Sequence, residues 1–356
     1  MGDFRFPVQP DESPTEPVFD LRTRLHANWR GREDPEIQPP RCDYFEIAHV
    51  REELKNDFDR AGNYLLPAQD VELAHDSRTR MDVLSQMVTR IVRPTGNNER
   101  SMPHVIGSLR ALLSNLIDYA GLYPPASLPL DQVSQNYERY LGARESWILN
   151  RLVLPAAKLP EVQLGDSWRV SLLVEEEPGP LPRQVESLET KGSERLSLPT
   201  YCETQLDRIT GAFAKIRTGG VTADAILPSD VLGDYLHRAA DRRLPFKATA
   251  GLHHPIRSVR PLTYASDSPR VAMHGFVNVF VAAAFTWHHA QPETGVDVLE
   301  ETDARAFQFG EDGVRWRSLT LSTAQIQSAR REFAHSFGSC SFEEPVCELR
   351  DLGWLP

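Results

Sequence analysis

No run of 18 consecutive apolar residues occurs in this chain, so no transmembrane helix is expected. The opening Met1-Gly-Asp-Phe-Arg-Phe-Pro has no apolar stretch behind it, so no secretory leader is expected either. Cysteine is scarce: Cys42, Cys202, Cys340 and Cys347 are the only four, and none stands in a CxxC spacing. That removes zinc-ribbon and thioredoxin-like readings. A disulfide framework would be sparse at this length, which points to reduced thiols and a cytoplasmic address. Positive charge is also in deficit, with 39 Lys and Arg against 50 Asp and Glu for a net charge of −11. Neither nucleic acid nor an anionic membrane is therefore expected as a partner, although a local basic pocket is compatible with the balance. Walker loop, GxGxxG, HExxH and GxSxG patterns are absent, as are internal repeats.

The 356 residues suit two domains, or one large barrel with an extension. Residues 1–41 carry Pro7, Pro10, Pro14, Pro17, Pro35, Pro39 and Pro40 among charged residues. They read as an extended or disordered arm. Residues 42–104 read as a helical extension, because Ile47, Val50, Leu54 and Phe58, then Met81, Leu84, Met87, Val88 and Ile91, recur at helical spacing. Residues 1–104 are the expected surface for a protein partner or for self-association. The remainder, 105–356, opens with an apolar helical pattern over 104–119, a stiff turn at Tyr123-Pro-Pro, and a helix from Leu130 through Tyr140.

After Trp147 the period shortens. Strands are predicted at 148–154, 169–174, 185–190, 201–206, 212–217 and 245–250, with a helix over 228–242 between the last two in a βαβ pattern. Three gaps in the middle of this series are short for parallel crossovers. Two arrangements stay open: an antiparallel meander, or a barrel that has lost outer helices. A buried helix over 275–287, a hairpin around Gly310-Glu-Asp-Gly and a capped helix from Ser322 to about Ser336 complete the chain. The fold class read from this pattern is α/β: an irregular (β/α) barrel-like domain with shortened middle crossovers and an N-terminal helical extension.

Four segments could carry chemistry. In Lys215-Ile-Arg217-Thr218-Gly219-Gly220 the two cations share one face of a strand, and the glycines behind them let backbone amides approach an anion. The alternative is a basic edge strand ending in a flexible turn. In Phe246-Lys247-Ala-Thr-Ala-Gly251-Leu-His253-His254-Pro, a lysine inside an apolar strand requires a carboxylate partner or a lowered pKa. A lowered pKa suits a base or an imine-forming amine. His253 or His254 could shuttle a proton or hold a divalent metal, the only cofactor the sequence suggests. In Phe337-Gly-Ser339-Cys340-Ser341-Phe-Glu343-Glu344-Pro, the hydroxyls suit an anion-binding turn or a helix cap. The fourth set is dispersed: Asn150, Arg151, Glu189, Lys191 and Glu203 lie in or beside strands. If the sheet curls, Arg151, Lys191, Lys215, Arg217 and Lys247 line a basic cavity with Glu189 and Glu203 as countercharge. His274, His288 and His289 flank the buried helix and could reach the same cavity, although core or cap histidines are the commoner case.

From Leu109 onward the chain resembles a group of uncharacterised bacterial proteins. The resemblance rests on Leu116-Ile-Asp-Tyr-Ala-Gly-Leu-Tyr-Pro-Pro-Ala, Lys215-Ile-Arg-Thr-Gly-Gly, Phe246-Lys-Ala-Thr-Ala-Gly-Leu-His-His-Pro, His274-Gly-Phe-Val-Asn-Val and Phe337-Gly-Ser-Cys-Ser-Phe-Glu-Glu-Pro. It implies a (β/α) barrel and carries no activity with it. The functional expectation is an enzyme of lyase or isomerase type acting on a small phosphorylated or carboxylated metabolite. Lys215, Arg217, Thr218, Gly219, Gly220, Ser339, Ser341, Arg151 and Lys191 would bind substrate, and Lys247, Glu203, His253 and His254 would catalyse. The alternative is a non-catalytic ligand-binding or scaffold protein derived from such a barrel.

Overall fold

The computed structural model describes residues 105–288 and 291–356; the arm at 1–41, the helical extension at 42–104 and His289 lie outside the described residues. Helix α1 (Gly107–Leu113) leads into strand β1 (Ile117–Tyr119), and helix α2 (Leu130–Leu141) leads into β2 (Leu149–Pro155). The strands β3 (Val170–Leu173), β4 (Val185–Thr190), β5 (Thr200–Cys202) and β6 (Phe213–Arg217) follow, then helix α3 (Ser229–Asp241) and β7 (Phe246–Thr249). A long excursion comes next: the antiparallel pair β8 (Ser258–Pro261) and β9 (Arg270–Met273), helices α4 (Phe276–Trp287) and α5 (Pro292–Glu300), and the antiparallel strands β10 (Phe307–Phe309), β11 (Gly313–Trp316) and β12 (Leu319–Ser322). Helix α6 (Thr323–Glu332), strand β13 (Ala334–Ser339) and helix α7 (Glu343–Asp351) end the chain.

Strands β1 to β7 and β13 close into one barrel in that order, and every pairing is parallel. The barrel reading therefore holds, and the antiparallel meander does not. The crossovers at 174–184, 191–199 and 203–212 contain no α-helix, only a single 3₁₀ turn at Leu206–Arg208. They need none. An extended chain covers roughly 3.3 Å per residue, so a loop of about ten residues can run back along strands this short. The spacing looked prohibitive because the fourth predicted strand, 201–206, overran β5 by four residues.

Two barrel strands are not where the sequence places them. β1 lies inside the predicted 104–119 helix: α1 stops at Leu113, and Asn115 takes a positive φ of 48° before the strand begins. β13 occupies residues assigned to the end of the Ser322 helix and to the Phe337 turn. That helix starts as expected, with a capping box between Ser322 and Gln325, but ends at Glu332.

Helix α4 is buried along its whole length because it lies between layers. Phe276 stacks on Phe337 of β13 at 5.1 Å, and α5 covers the helix from the other side. Its two polar intrusions are satisfied: Thr286 donates to the Ala282 carbonyl at 2.9 Å, and Asn278 is held at both ends of its amide. Asn278 donates to the carbonyls of Val298 and Glu301 and accepts from the Arg257 amide. No described helix is long and apolar enough to cross a membrane.

Candidate active site

Polar residues dominate the upper interior of the barrel. Lys215 and Lys247 stand opposite one another in register on neighbouring parallel strands, an arrangement that requires negative charge between them. Glu189 on β4 supplies it. Its Oε1 lies 2.6 Å from Lys247 Nζ and its Oε2 lies 3.0 Å from Lys215 Nζ. Asp118 on β1 takes the other side of Lys247 at 2.6 Å, and Glu203 beyond β5 takes the other side of Lys215 at 3.1 Å. Arg217 ends the series 4.0 Å from Glu203. The result is a ladder of alternating sign, Asp118–Lys247–Glu189–Lys215–Glu203–Arg217, that rises from a sealed interior to an exposed rim. Side-chain exposure runs from 1% at Asp118 and Lys247 to 56% at Arg217.

Hydroxyls and two amides hold the carboxylates in place. Ser171 donates to Glu189 at 2.7 Å, with Ser187 behind it. Asn150, the Arg151 backbone amide and Ser336 all donate to Asp118. Burial works against the ammonium of Lys247, but Asp118 and Glu189 outweigh it and raise its pKa above the ordinary lysine value. Burial likewise opposes the Glu189 carboxylate, and Lys247 and Lys215 outweigh it and depress its pKa strongly. Lys247 therefore stands as an ammonium, which argues against an imine-forming amine.

One hydroxyl near this ladder has no hydrogen-bond partner among the described residues. Tyr123, on the loop after β1, carries a buried Oη that makes no hydrogen bond. Burial first, then the Glu189 charge, push its pKa to about 12, with Lys247 acting in the opposite sense. The phenol thus lies within electrostatic range of Glu189 and Lys247, and its hydroxyl has no hydrogen-bond partner among the described residues.

The other sequence candidates divide. Lys191 is exposed, and Arg151 pairs through its side chain with Glu186 at 3.0 Å, so the five cations do not form one basic cavity. Thr218 is occupied with backbone: its Oγ1 donates to the Ala250 carbonyl at 2.6 Å and its amide to the Thr249 carbonyl. Gly219 and Gly251 serve close approach. A Cβ on Gly251 would lie 2.8 Å from Gly219 Cα, and Gly251 itself has a φ of +77°. Gly251→Ala is accordingly expected to destabilise by about 2 kcal/mol or more, read by urea denaturation. Gly220 lies against Ala225 in the following turn. Ser339 and Ser341 build the cap of α7: Ser339 Oγ accepts from the Ser341 amide, and Ser341 Oγ accepts from the Glu344 amide. His274 and His288 each bond a backbone carbonyl, of Leu227 and Gln325 respectively, as core and cap histidines do.

A second polar cluster joins the loop after β7 to helix α7. His253 Nδ1 lies 3.3 Å from Glu344 and 4.0 Å from Cys340 Sγ, and Tyr264 donates to Glu344 at 3.4 Å. Burial disfavours the His253 imidazolium, but Cys340 and Glu344 outweigh it and raise its pKa well above the ordinary histidine range. His254 Nδ1 bonds Glu348 at 2.8 Å. Cys202 and Cys340 are buried free thiols, whereas Cys347 is disulfide-bonded, so the reduced-thiol expectation does not extend to it.

The lower interior has a different character. His335 Nδ1 and Tyr201 Oη are 2.9 Å apart, and burial together with the Arg330 charge pulls the His335 pKa down to about 4. An unfolded chain takes up this proton near pH 6.5, whereas the folded one resists until about pH 4. Stability is therefore expected to fall as pH drops from 6.5 to 4, by about 2–3 kcal/mol from this residue. Urea titrations at pH 7 and 4.5 should show a smaller decline in His335→Gln than in the wild type.

Sequence reasoning missed Asp118, Tyr123, Ser171, Ser187, Ser336, Tyr264 and Glu348. Only Tyr123 carried a signal, as an aromatic fixed in a Pro-Pro turn. No protein-family profile, curated protein or solved structure matches the chain. Fold and site together define its class: a closed, eight-stranded parallel (β/α) barrel with an ionised polar ladder rising to the C-terminal ends of its strands.

Proposed function

We propose that the barrel mouth binds a small carboxylated or phosphorylated metabolite and acts on it by proton transfer, in chemistry of lyase or isomerase type. The observation that carries the reading is the buried Tyr123 hydroxyl, without a partner among the described residues and within electrostatic range of Glu189 and Lys247. A buried donor with nothing to bond is costly unless a ligand completes it. Arg217, exposed and only loosely paired, is the cation with capacity left for an anionic group. Glu203, at the same rim, is the candidate base, and Lys215 beside it is the candidate donor to a developing oxyanion. Lys247 acts here as a fixed positive charge that sets the field of Glu189. His253 stays a candidate proton carrier on the neighbouring loop.

The test begins with a thermal-shift screen of phosphorylated and carboxylated metabolites, each with and without Mg²⁺, Mn²⁺ or Zn²⁺. A ligand at about 100 times its Kd adds roughly 2.7 kcal/mol of stability. With a ligand in hand, Glu203→Gln is expected to reduce turnover ~100-fold or more while changing affinity only a few-fold. The second reading, a binding protein without catalysis, is favoured by the three helix-free crossovers and by the complete pairing of both buried lysines. It expects the same thermal shift with no turnover to lose.

A further inference from the structure

We propose that His254, Glu344 and Glu348 bind one first-row divalent cation between the loop after β7 and helix α7. One ligand atom from each residue comes together, all three within 4.8 Å of one another. With bonds of about 2.0–2.2 Å, tetrahedral donors around one ion stand roughly 3.4 Å apart, so the three residues must draw in by up to about 1.5 Å to hold it.

The three residues converge because β7 and β13 are neighbours in the barrel: His254 follows one and α7 follows the other. Glu344 and Glu348 are four residues apart on α7, one turn from each other on the same face, where like charges destabilise a helix. His253 relieves this in part from 3.3 Å off Glu344, and so does Arg260. Arg260 lies 3.4 Å from Glu348 with 40% of its side chain exposed, so it can swing aside. The loop that carries His254 is fixed upstream, where Gly251 abuts Gly219 and Ala250 holds a φ of 60°. One imidazole nitrogen with two carboxylates is a mixed donor set. Oxygen donors suit Mn²⁺ and Mg²⁺, and imidazole suits Zn²⁺ and Fe²⁺. The set therefore points to a transition-metal dication, with Zn²⁺ held more tightly than Mn²⁺ and Mg²⁺ weakest. Such an ion would neutralise the two carboxylates and offer a Lewis-acidic position on the C-terminal side of the barrel. The inference is independent of what occupies the mouth above Lys215 and Glu203.

The experiment uses the full chain, freed of metal by a chelator and titrated with Mn²⁺ alone, with free Mn²⁺ followed by electron paramagnetic resonance. One Mn²⁺ per chain is expected to bind and to be displaced by Zn²⁺. Glu348→Gln and His254→Ala should each weaken binding at least tenfold, whereas Arg217→Ala at the barrel mouth should leave it unchanged. Loss of Mn²⁺ affinity in Arg217→Ala as well would overturn the assignment. So would a wild-type chain that binds neither Mn²⁺ nor Zn²⁺. Should a variant fail to fold by circular dichroism, electron-spin-echo spectroscopy of the Mn²⁺-loaded wild type decides. A single imidazole nitrogen coupling supports the site, and its absence contradicts it.

Discussion

Lys247→Met is expected to lower the unfolding free energy by about 3–5 kcal/mol, the largest effect of any single substitution in the barrel interior. Asp118 and Glu189 are each at most 2% exposed, and the substitution strips Asp118 of its ammonium partner and leaves Glu189 with Lys215 alone. For a domain of this size the midpoint of thermal unfolding should fall by roughly 10 °C. The dependence on pH identifies the cause. In the wild type, the depressed pKa of Glu189 contributes stability above the ordinary carboxylate pKa that is lost as pH falls. The raised pKa of Lys247 contributes stability below the ordinary lysine pKa that is lost only as pH rises beyond it. In the variant Glu189 keeps only Lys215 against its burial and takes up a proton more readily than in the wild type, so the gap between the two should narrow between pH 7 and 4.5. The triple substitution Lys247→Met, Asp118→Asn, Glu189→Gln should be less destabilised than Lys247→Met alone, since neutral groups replace the carboxylates that lost Lys247. Urea unfolding at the two pH values measures both expectations.

Arg330→Leu ranks next, with an expected loss of about 3–4 kcal/mol, for a different reason. The half-buried Arg330 guanidinium lies at the N-terminal end of the barrel with no ion-pair partner among the described residues, and loss of solvent pulls its pKa down to about 10. It donates instead to the carbonyls of Leu112 and Ser114, at 2.8 and 3.0 Å, and to those of Ala334 and His335. These carbonyls belong to the chain entering β1 and to the start of β13, the two strands that close the barrel. The guanidinium also lies 5.2 Å over the Phe280 ring. Leucine keeps the apolar contact and abandons at least four acceptors. Arg330→Lys should recover part of the loss, because one ammonium has three donors for the same acceptors. Comparing the two variants by urea denaturation separates lost hydrogen bonds from lost packing.

Alternation made β4 legible to the residue, and an apolar surface on all sides marked α4 as buried. β1 was hidden because three residues, Ile117-Asp-Tyr, cannot display a period of two, and the leucine-rich turn of α1 precedes them. β13 was hidden because Ser336 and Gly338, which face the polar interior, remove the apolar alternation that a strand normally shows. The same short polar strands explain what was missed of the site. Lys247 announced its need for a carboxylate, since a lysine in an apolar strand must be paired. The identity of the partners was not local information. Glu189 lies 58 residues away, and Asp118 sat inside a segment that read as helix. Lys191 was assigned to the cavity by its place beside a strand end, yet it extends into solvent past the last rung of β4. Glu344 was legible as part of a helical first turn. Its proximity to His254 depends on β7 pairing with β13, and that pairing has no signature in either segment alone.

The central claim is that the mouth above Lys247 and Glu189 is a ligand site completed by Tyr123 and Arg217. The most direct test is the ligand-induced shift in melting temperature for the strongest anion in the metabolite screen, compared between wild type, Tyr123→Phe and Arg217→Ala. Both variants are expected to fold, because the Tyr123 hydroxyl bonds nothing and Arg217 is largely exposed. A clear shift is expected in the wild type, and it should fall by more than half in each variant at the same ligand concentration. A shift of equal size in all three proteins, or none across the panel in the wild type, would contradict it.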